Sequence, residues 1–253
     1  EDKINELGSE NIAVYIAEPI LASGGCIITP DGYVKRFWDL CKKYDILYIS
    51  DEVVTSFGRL GHFFSSEKVF GIIPDIITTA KGITSGYMPL GAVLFSDRLM
   101  EDVKKESSVF IHGYTYSGHP ACCAAALKNI EIIKRDKILE HVQNVGPYFQ
   151  KKLNKLIDIP IVGDVRGMNM MAGIECVMNK DSKEALVLDQ AIGNRIDEES
   201  LKLGLIIRPL YHVCVLSPAL IITKIQIDDL VEKLSQAITN AMKKVEAEGL
   251  WSE

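Results

Sequence analysis

The sequence has no apolar run long enough to cross a bilayer and no recognisable signal peptide, so a soluble, cytoplasmic protein is expected. It has no phosphate loop of the form GxxxxGK[ST], which argues against a P-loop nucleotide hydrolase. Cys26, Cys41, Cys122, Cys123, Cys176 and Cys214 show neither CxxC nor zinc-ligand spacing, and read as buried thiols of a reducing compartment. Basic residues are nowhere clustered among aromatics, and the net charge is -6, so nucleic acid is an unsuitable partner. Internal repeats and low-complexity tracts are absent. What remains is an ordinary globular composition over 253 residues, enough for one large domain or two modest ones.

The most informative stretch is 46–91, ILYISDEVVTSFGRLGHFFSSEKVFGIIPDIITTAKGITSGYMPLG. Residues 46–50 and 76–80 are short, Ile-rich runs bounded by turn signals, the pattern of strands buried on both faces of a parallel sheet. The first ends in Asp51-Glu52 and the second in Lys81-Gly82. Open α/β sheets bind ligands beyond the carboxyl ends of their strands, so a carboxylate and an amine are expected to face one crevice. A buried Asp needs a cationic partner, and an amine in a dry site becomes a nucleophile. Pyridoxal phosphate asks for this pair, a Lys for the Schiff base and an Asp to keep the ring nitrogen protonated. The Asp-Glu pair after an apolar strand also has the Walker-B form, which the missing phosphate loop disfavours.

The segments SDEVVTSFGRLGHFF and PDIITTAKGITSGYMPLGAV resemble the signature of the class III, fold-type I pyridoxal-phosphate aminotransferases. The likeness continues through AEPILASGGCIITPDGYVKRFWDLCKKYDI, HGYTYSGHPACCAAAL and GLIIRPLYHVCVLSPALIIT, in family order and over nearly the whole chain. It implies an α/β fold of type I, a partial, mostly parallel large-domain sheet over residues 1–145 and a small α+β C-terminal domain over 146–253. The chain opens at Glu1 without the front portion that such enzymes carry, which implies a C-terminal portion. Ser23 stands where ornithine and γ-aminobutyrate enzymes carry a second acid, and Val54 where several carry Gln. Both departures favour the branch that moves amino groups from ω-amino acids or amines, β-alanine-like donors, to pyruvate.

By the same resemblance, Lys81 is the Schiff-base lysine and Asp51 the partner of the pyridinium nitrogen. Val53 packs under the ring. Thr115, with Tyr114, reaches the cofactor phosphate of the other subunit, which makes the enzyme a homodimer with shared sites. Arg208 clamps the substrate carboxylate in bidentate fashion, with a structural ion pair as the plain alternative. Glu18 lies at the site's edge, where pinning backbone amides is an equally good role. No metal is implied. The expected activity is ping-pong amino transfer between a donor and a keto acid. Rivals are an ornithine or γ-aminobutyrate aminotransferase, an aminomutase, or a catalytically silent piece that acts only in assembly, since bare sheet edges invite association.

Periodicity fills in the remainder. Residues 11–20 read as a strand stopped by Pro19, 33–44 as a helix, and 91–96 as a further strand. Pro120 suits the first position of a helix, and 136–156 is helical in pattern. Gly163 and Gly167 punctuate a strand–turn–strand over 161–177. Helices are expected over 185–203 and 227–245, with strands at 205–208, ended by Pro209, and at 213–216.

Overall fold

The structure, a computed structural model, describes residues 1–105, 110–182, 184 and 189–252. They form two units, one of residues 1–20 and 29–139, the other of residues 21–28 and 140 onward.

The first unit contains α1 (Asp2–Leu7), β1 (Val14–Ala17), α2 (Tyr33–Lys43), β2 (Leu47–Asp51), α3 (Ser65–Lys68), β3 (Ile76–Thr79), β4 (Ala92–Phe95), α4 (Asp97–Lys105) and α5 (Pro120–Arg135). Its sheet runs in the order β1-β2-β3-β4. The β1-β2 and β2-β3 ladders are parallel, and β4 returns antiparallel to β3. The two Ile-rich runs are therefore neighbours, as their composition implies. Burial on both faces is not what the strands show: Val14, Ile16 and Val93 are exposed, and β2 alternates between half-buried and buried positions. One face is covered because α2 lays Phe37 on Tyr15 at 4.9 Å between ring centroids and adds Val34 and Cys41 to a cluster with Tyr48 and Ile72. Among the described residues the exposed apolar positions of the edge strands β1 and β4 meet no comparable layer. Helix α2 starts after Gly32, whose φ of 75° fits the turn, and ends with Lys42 and Lys43 beside its free carbonyls. Pro120 occupies the start of α5, where its missing N–H costs nothing.

The second unit takes in most of α6 (Ile138–Leu153) and then β5 (Val162–Met168), β6 (Met171–Cys176), α7 (Asp189–Lys202), β7 (Arg208–Leu210), β8 (Val213–Leu216) and α8 (Lys224–Ala247). Its antiparallel sheet has the order β5-β6-β8-β7. Phe149, Leu153, Ile174, Ile192, Ile196, Leu234 and Ile238 meet in one core, each at most 1% exposed, which fits helices packed on a single sheet face. Thr223 caps α8 through a reciprocal pair, Gln226 N–H to Thr223 Oγ1 at 3.3 Å and Thr223 N–H to Gln226 Oε1 at 2.9 Å.

Three expectations need correcting here. Pro209 lies inside β7 rather than ending a strand at Arg208. This is allowed because β7 is an edge strand, where a missing donor need not interrupt a ladder. Gly163 and Gly167 lie within β5, and the turn falls at Asn169 and Met170. Gly167 is there for close approach, since a Cβ would stand 2.4 Å from the Met171 carbonyl oxygen. Cys123 is only half-buried, although the other five cysteines are buried as expected. Of the helix anticipated over 185–203, positions 185–188 lie outside the described residues and the remainder is α7.

Glu199 joins α7 to α8. Its carboxylate takes Lys202 Nζ and Lys244 Nζ at 2.6 Å each and Asn240 Nδ2 at 3.3 Å. Those donors, Lys202 first, hold its pKa down at about 2 from 4.5. Because the folded value is depressed, the contribution is complete above the unfolded value of 4.5 and disappears as pH falls toward about 2. The gap in melting temperature between wild type and Glu199→Gln should accordingly be widest near neutral pH and close across that window. A gap independent of pH would refute the assignment.

Candidate active site

The register of the first sheet fixes what stands at its carboxyl edge. Ala17 pairs with Ser50 and Ser50 with Ile77, and one step further Asp51 pairs with Thr78. Glu18 directly follows Ala17, and Lys81 lies two positions past the end of β3. Glu18, Asp51 and Lys81 are thus brought to the ends of three adjacent parallel strands. Paired residues of a parallel ladder share a face, so Asp51 and Thr78 project together. The Asp51 carboxylate is half-buried and accepts the Val53 N–H at 3.0 Å. Thr78 Oγ1 beside it is buried and has no hydrogen-bond partner among the described residues. A buried hydroxyl left unmatched next to a carboxylate marks a place where a polar ligand would be accommodated.

Lys81 departs from the expected dry crevice: its side chain is exposed. What singles it out is its backbone. Ala80 (φ −157°, ψ −147°) ends the extended run, and Lys81 has φ 41°, a left-handed conformation that only context can sustain in a residue with a Cβ. The 3-10 turn Lys81–Thr84 follows, closed by Ser85 at φ 50° and Gly86 at φ 77°. Gly82 is packed so closely that a Cβ would lie 2.9 Å from Phe57 Cβ. The left-handed Phe57 (φ 50°) is in turn fixed by its N–H to the Phe63 carbonyl at 2.7 Å. Ser56 Oγ and Thr79 Oγ1, 2.6 Å apart, tie that loop to β3. Burial in the same loop pulls the Arg59 guanidinium down to about 10.

Glu52, which sequence reasoning noted only as half of an acidic pair, is the best-satisfied group in the region. It is fully buried. Its carboxylate accepts the Ser65 N–H at 2.6 Å, Ser65 Oγ at 2.8 Å, the Ser66 N–H at 2.9 Å, Ser66 Oγ at 2.5 Å and Thr55 Oγ1 at 3.3 Å. These include the free amides at the start of α3. The Ser-Ser-Glu-Lys run at 65–68 carried the signal of a helix start needing an acceptor.

Val53 is half-buried just past Asp51. Tyr114 and Thr115 sit in an exposed turn ahead of α5, where the Tyr114 N–H donates to Ser117 Oγ at 2.8 Å. Arg208 belongs to the second unit and is exposed, and its side chain has no ion pair or hydrogen bond among the described residues. No three His, Cys, Asp or Glu residues among the described ones are grouped to hold a metal.

Comparison with known proteins bears on this geometry. The model of the family described as Aminotransferase class-III matches residues 2–238. A putrescine–pyruvate aminotransferase of Pseudomonas aeruginosa is 44% identical over 91% of this chain and 50% of its own length. A probable γ-aminobutyrate transaminase of Oryza sativa subsp. indica is 38% identical over 97% of this chain and 48% of its own. The crystal structure of an (S)-enantioselective ω-transaminase from Thermomicrobium roseum superposes with a TM-score of 0.91 at 39% identity, over 95% of this chain and 54% of that one. The fold is therefore the α/β type I transferase fold expected. The chain spans about half the length of the curated relatives it matches.

Glu52→Gln keeps the size of the side chain but turns an amide NH2 toward donors. It should lower stability by about 2–4 kcal/mol, read from urea unfolding, because buried donors lose their acceptor. A neutral substitution would show that the carboxylate does not hold the turn.

Proposed function

The chain belongs to the class III aminotransferases, a family that works with pyridoxal 5'-phosphate, and from that premise we propose that it carries the reacting half of an amino-transfer site. The observation that carries the proposal is the row at the sheet's carboxyl edge: Asp51 and Thr78 side by side, with Lys81 just beyond. The residues suit the group, since the orphaned Thr78 hydroxyl and the Asp51 carboxylate offer a polar seat at the strand ends. When bound, the cofactor supplies an electrophilic carbonyl for the amino group and a cationic ring that withdraws electrons.

The chain's own residues do the rest in this proposal. Asp51 accepts the ring-nitrogen proton in a hydrogen bond and keeps it in place by charge. Lys81 Nζ holds the cofactor at rest. Once freed, it takes the proton from the amine-bearing carbon of the donor and returns one to the carbonyl carbon of the keto acid, as base and then acid. Val53 would pack against the ring. Arg208 offers a forked donor to the keto-acid carboxylate, and its exposed side chain, without an ion pair among the described residues, leaves it available for that role. Glu18 borders the site. Thr115 and Tyr114, in their exposed turn, serve a second copy, so the working form is a homodimer. The division at residues 1–145 and 146–253, and a cytoplasmic location, belong to the same proposal. No helix among the described residues is long and apolar enough to cross a membrane.

Both named relatives point to one donor class. Putrescine and γ-aminobutyrate each end in a primary amine on an unbranched carbon chain, and pyruvate is the acceptor in the first name. These names support the proposed donor, a terminal amine or ω-amino acid, β-alanine included, and the first of them supports pyruvate as the proposed acceptor.

The purified chain mixed with pyridoxal phosphate should turn yellow, and borohydride should fix the cofactor on Lys81. Lys81→Ala should abolish the adduct and cut amino transfer by about a hundredfold or more. With putrescine or β-alanine as donor, pyruvate should outperform 2-oxoglutarate; the reverse preference would defeat the acceptor assignment. Absence of any reducible adduct at Lys81 would leave a piece that acts only in assembly.

A further inference from the structure

Lys81 stands in a conformation that costs energy, and in the 3-10 turn behind it the Lys81, Gly82 and Thr84 carbonyls accept backbone N–H groups, whereas the Ile83 carbonyl takes its donor from outside the turn. Lys81 and Ser85 are left-handed at the two ends of that turn, and neither is a glycine. A relaxed chain would swing both back, and the lysine with them. One side chain from outside the turn spans it. Asn129, on α5, donates through Nδ2 to the Gly82 carbonyl at 2.9 Å and to the Ile83 carbonyl at 3.1 Å. Its Oδ1 accepts Ser85 Oγ at 2.8 Å. An amide nitrogen carries two N–H donors, and both are spent on this turn. Carbonyl oxygens only accept, so the amide has one workable orientation here: reversed, it would set oxygen against oxygen twice. Asn129 is half-exposed, and its three polar contacts all go to residues 82–85. Burial does not demand an amide at that place; the Ile83 carbonyl, which takes its donor from Asn129, and the Gly82 carbonyl, which Asn129 shares with the Ser85 N–H, account for it.

We propose that Asn129 is a positioning residue for Lys81, clasping the Gly82 and Ile83 carbonyls so that the lysine's left-handed backbone, and with it the reach of Nζ, is set before any ligand arrives. The inference rests on the reading of Lys81 as the cofactor-bearing residue. It adds that the lysine's placement is governed by an amide on a helix far along the chain. Asn129 touches no reacting atom in this scheme, and its effect passes through the backbone of residues 81–85. Preorganisation of this kind should show in the rate at which Nζ joins the aldehyde carbon with loss of water, and in the pH at which the resulting colour titrates.

The test uses the purified full chain and pyridoxal phosphate, following the visible band and then trapping with borohydride and mapping the labelled peptide. Asn129→Asp is isosteric, keeps the acceptor for Ser85 and removes both donors, and at a half-exposed position it preserves the fold, which far-ultraviolet dichroism checks. Asn129→Asp and Asn129→Ala should each form the Lys81 adduct about tenfold more slowly and shift the pH midpoint of the band, as the loss of two turn-holding hydrogen bonds requires. Ser85→Ala should stay within about threefold of wild type, since it deletes only the contact to Oδ1. Asn129→Asp forming the adduct at the wild-type rate with an unchanged midpoint would overturn the proposal, even with a lower melting temperature. So would an equal slowing by Ser85→Ala. If the wild type yields no adduct at Lys81 while remaining folded, the reading of Lys81 itself fails, and the role given to Asn129 falls with it.

Discussion

The buried carboxylate of Glu52 is the constraint on which the candidate site depends. Where β2 ends, the chain must leave the sheet without stranding polar groups, and Glu52 supplies acceptors for the amides and hydroxyls of Ser65 and Ser66 at that point. Its own N–H still donates to the Thr78 carbonyl at 2.9 Å, so the ladder stays in register to its last rung. Adjacent residues of an extended strand face opposite ways. Fixing Glu52 inward therefore commits Asp51 to the other side, beside Thr78. Two neighbouring acids divide the work, one spent on scaffold and one left half-buried for the proposed chemistry. Neither could exchange roles without a shift of register, which would turn over every side chain in the strand.

The strained turn at Lys81 is held from three directions. The loop after Glu52 presses Phe57 against Gly82, β3 is tied to the same loop through Thr79 and Ser56, and α5 reaches down through Asn129. Left-handed backbone at Phe57, Lys81 and Ser85 persists because each is over-determined by such neighbours. This is where strain in the first unit gathers beside the candidate site. The second unit relies on other means: a continuous apolar core, a capping box on α8 and the Glu199 ion cluster.

Much of this was legible in the sequence for reasons that can be named. Residues 46–50 and 76–80 were readable as adjacent strands because Ile-rich runs between turn residues have few other solutions. Pro120 announced its helix, and the motif around Lys81 announced the family. The misses have a common cause, which is that they depend on partners distant in sequence. Glu52 reads as the tail of an acidic pair because its donors lie thirteen and fourteen residues on, and the helix-start signal of Ser65-Ser66 does not say which acceptor it takes. Asn129 gives no local signal because its partners lie 46 and 47 residues earlier. Pro209 and Gly167 read as breakers because local rules weigh a residue's own backbone, whereas an edge position and a close approach are properties of the sheet. The exposure of Lys81 was missed for a similar reason: burial of a strand end depends on what covers the sheet, and a strand's own residues do not say what that is.

A sharper division follows from burial. Glu52, Ser65, Ser66 and Thr79, which hold the edge together, are all buried. Lys81, Tyr114, Thr115 and Arg208, which the proposed chemistry uses, are all exposed. Groups of the first kind carry the fold's stability, because each leaves buried partners unsatisfied when removed. Groups of the second kind carry almost none, because water replaces whatever they lose. Chemistry and folding are thus separable in this proposal, and truncating one of these exposed groups interrogates reactivity with little risk of unfolding. Asp51 and Asn129, both half-buried, stand between the classes. They are the residues at which scaffold and reaction meet, and there a change of one atom, oxygen for nitrogen or the reverse, tells more than a deletion.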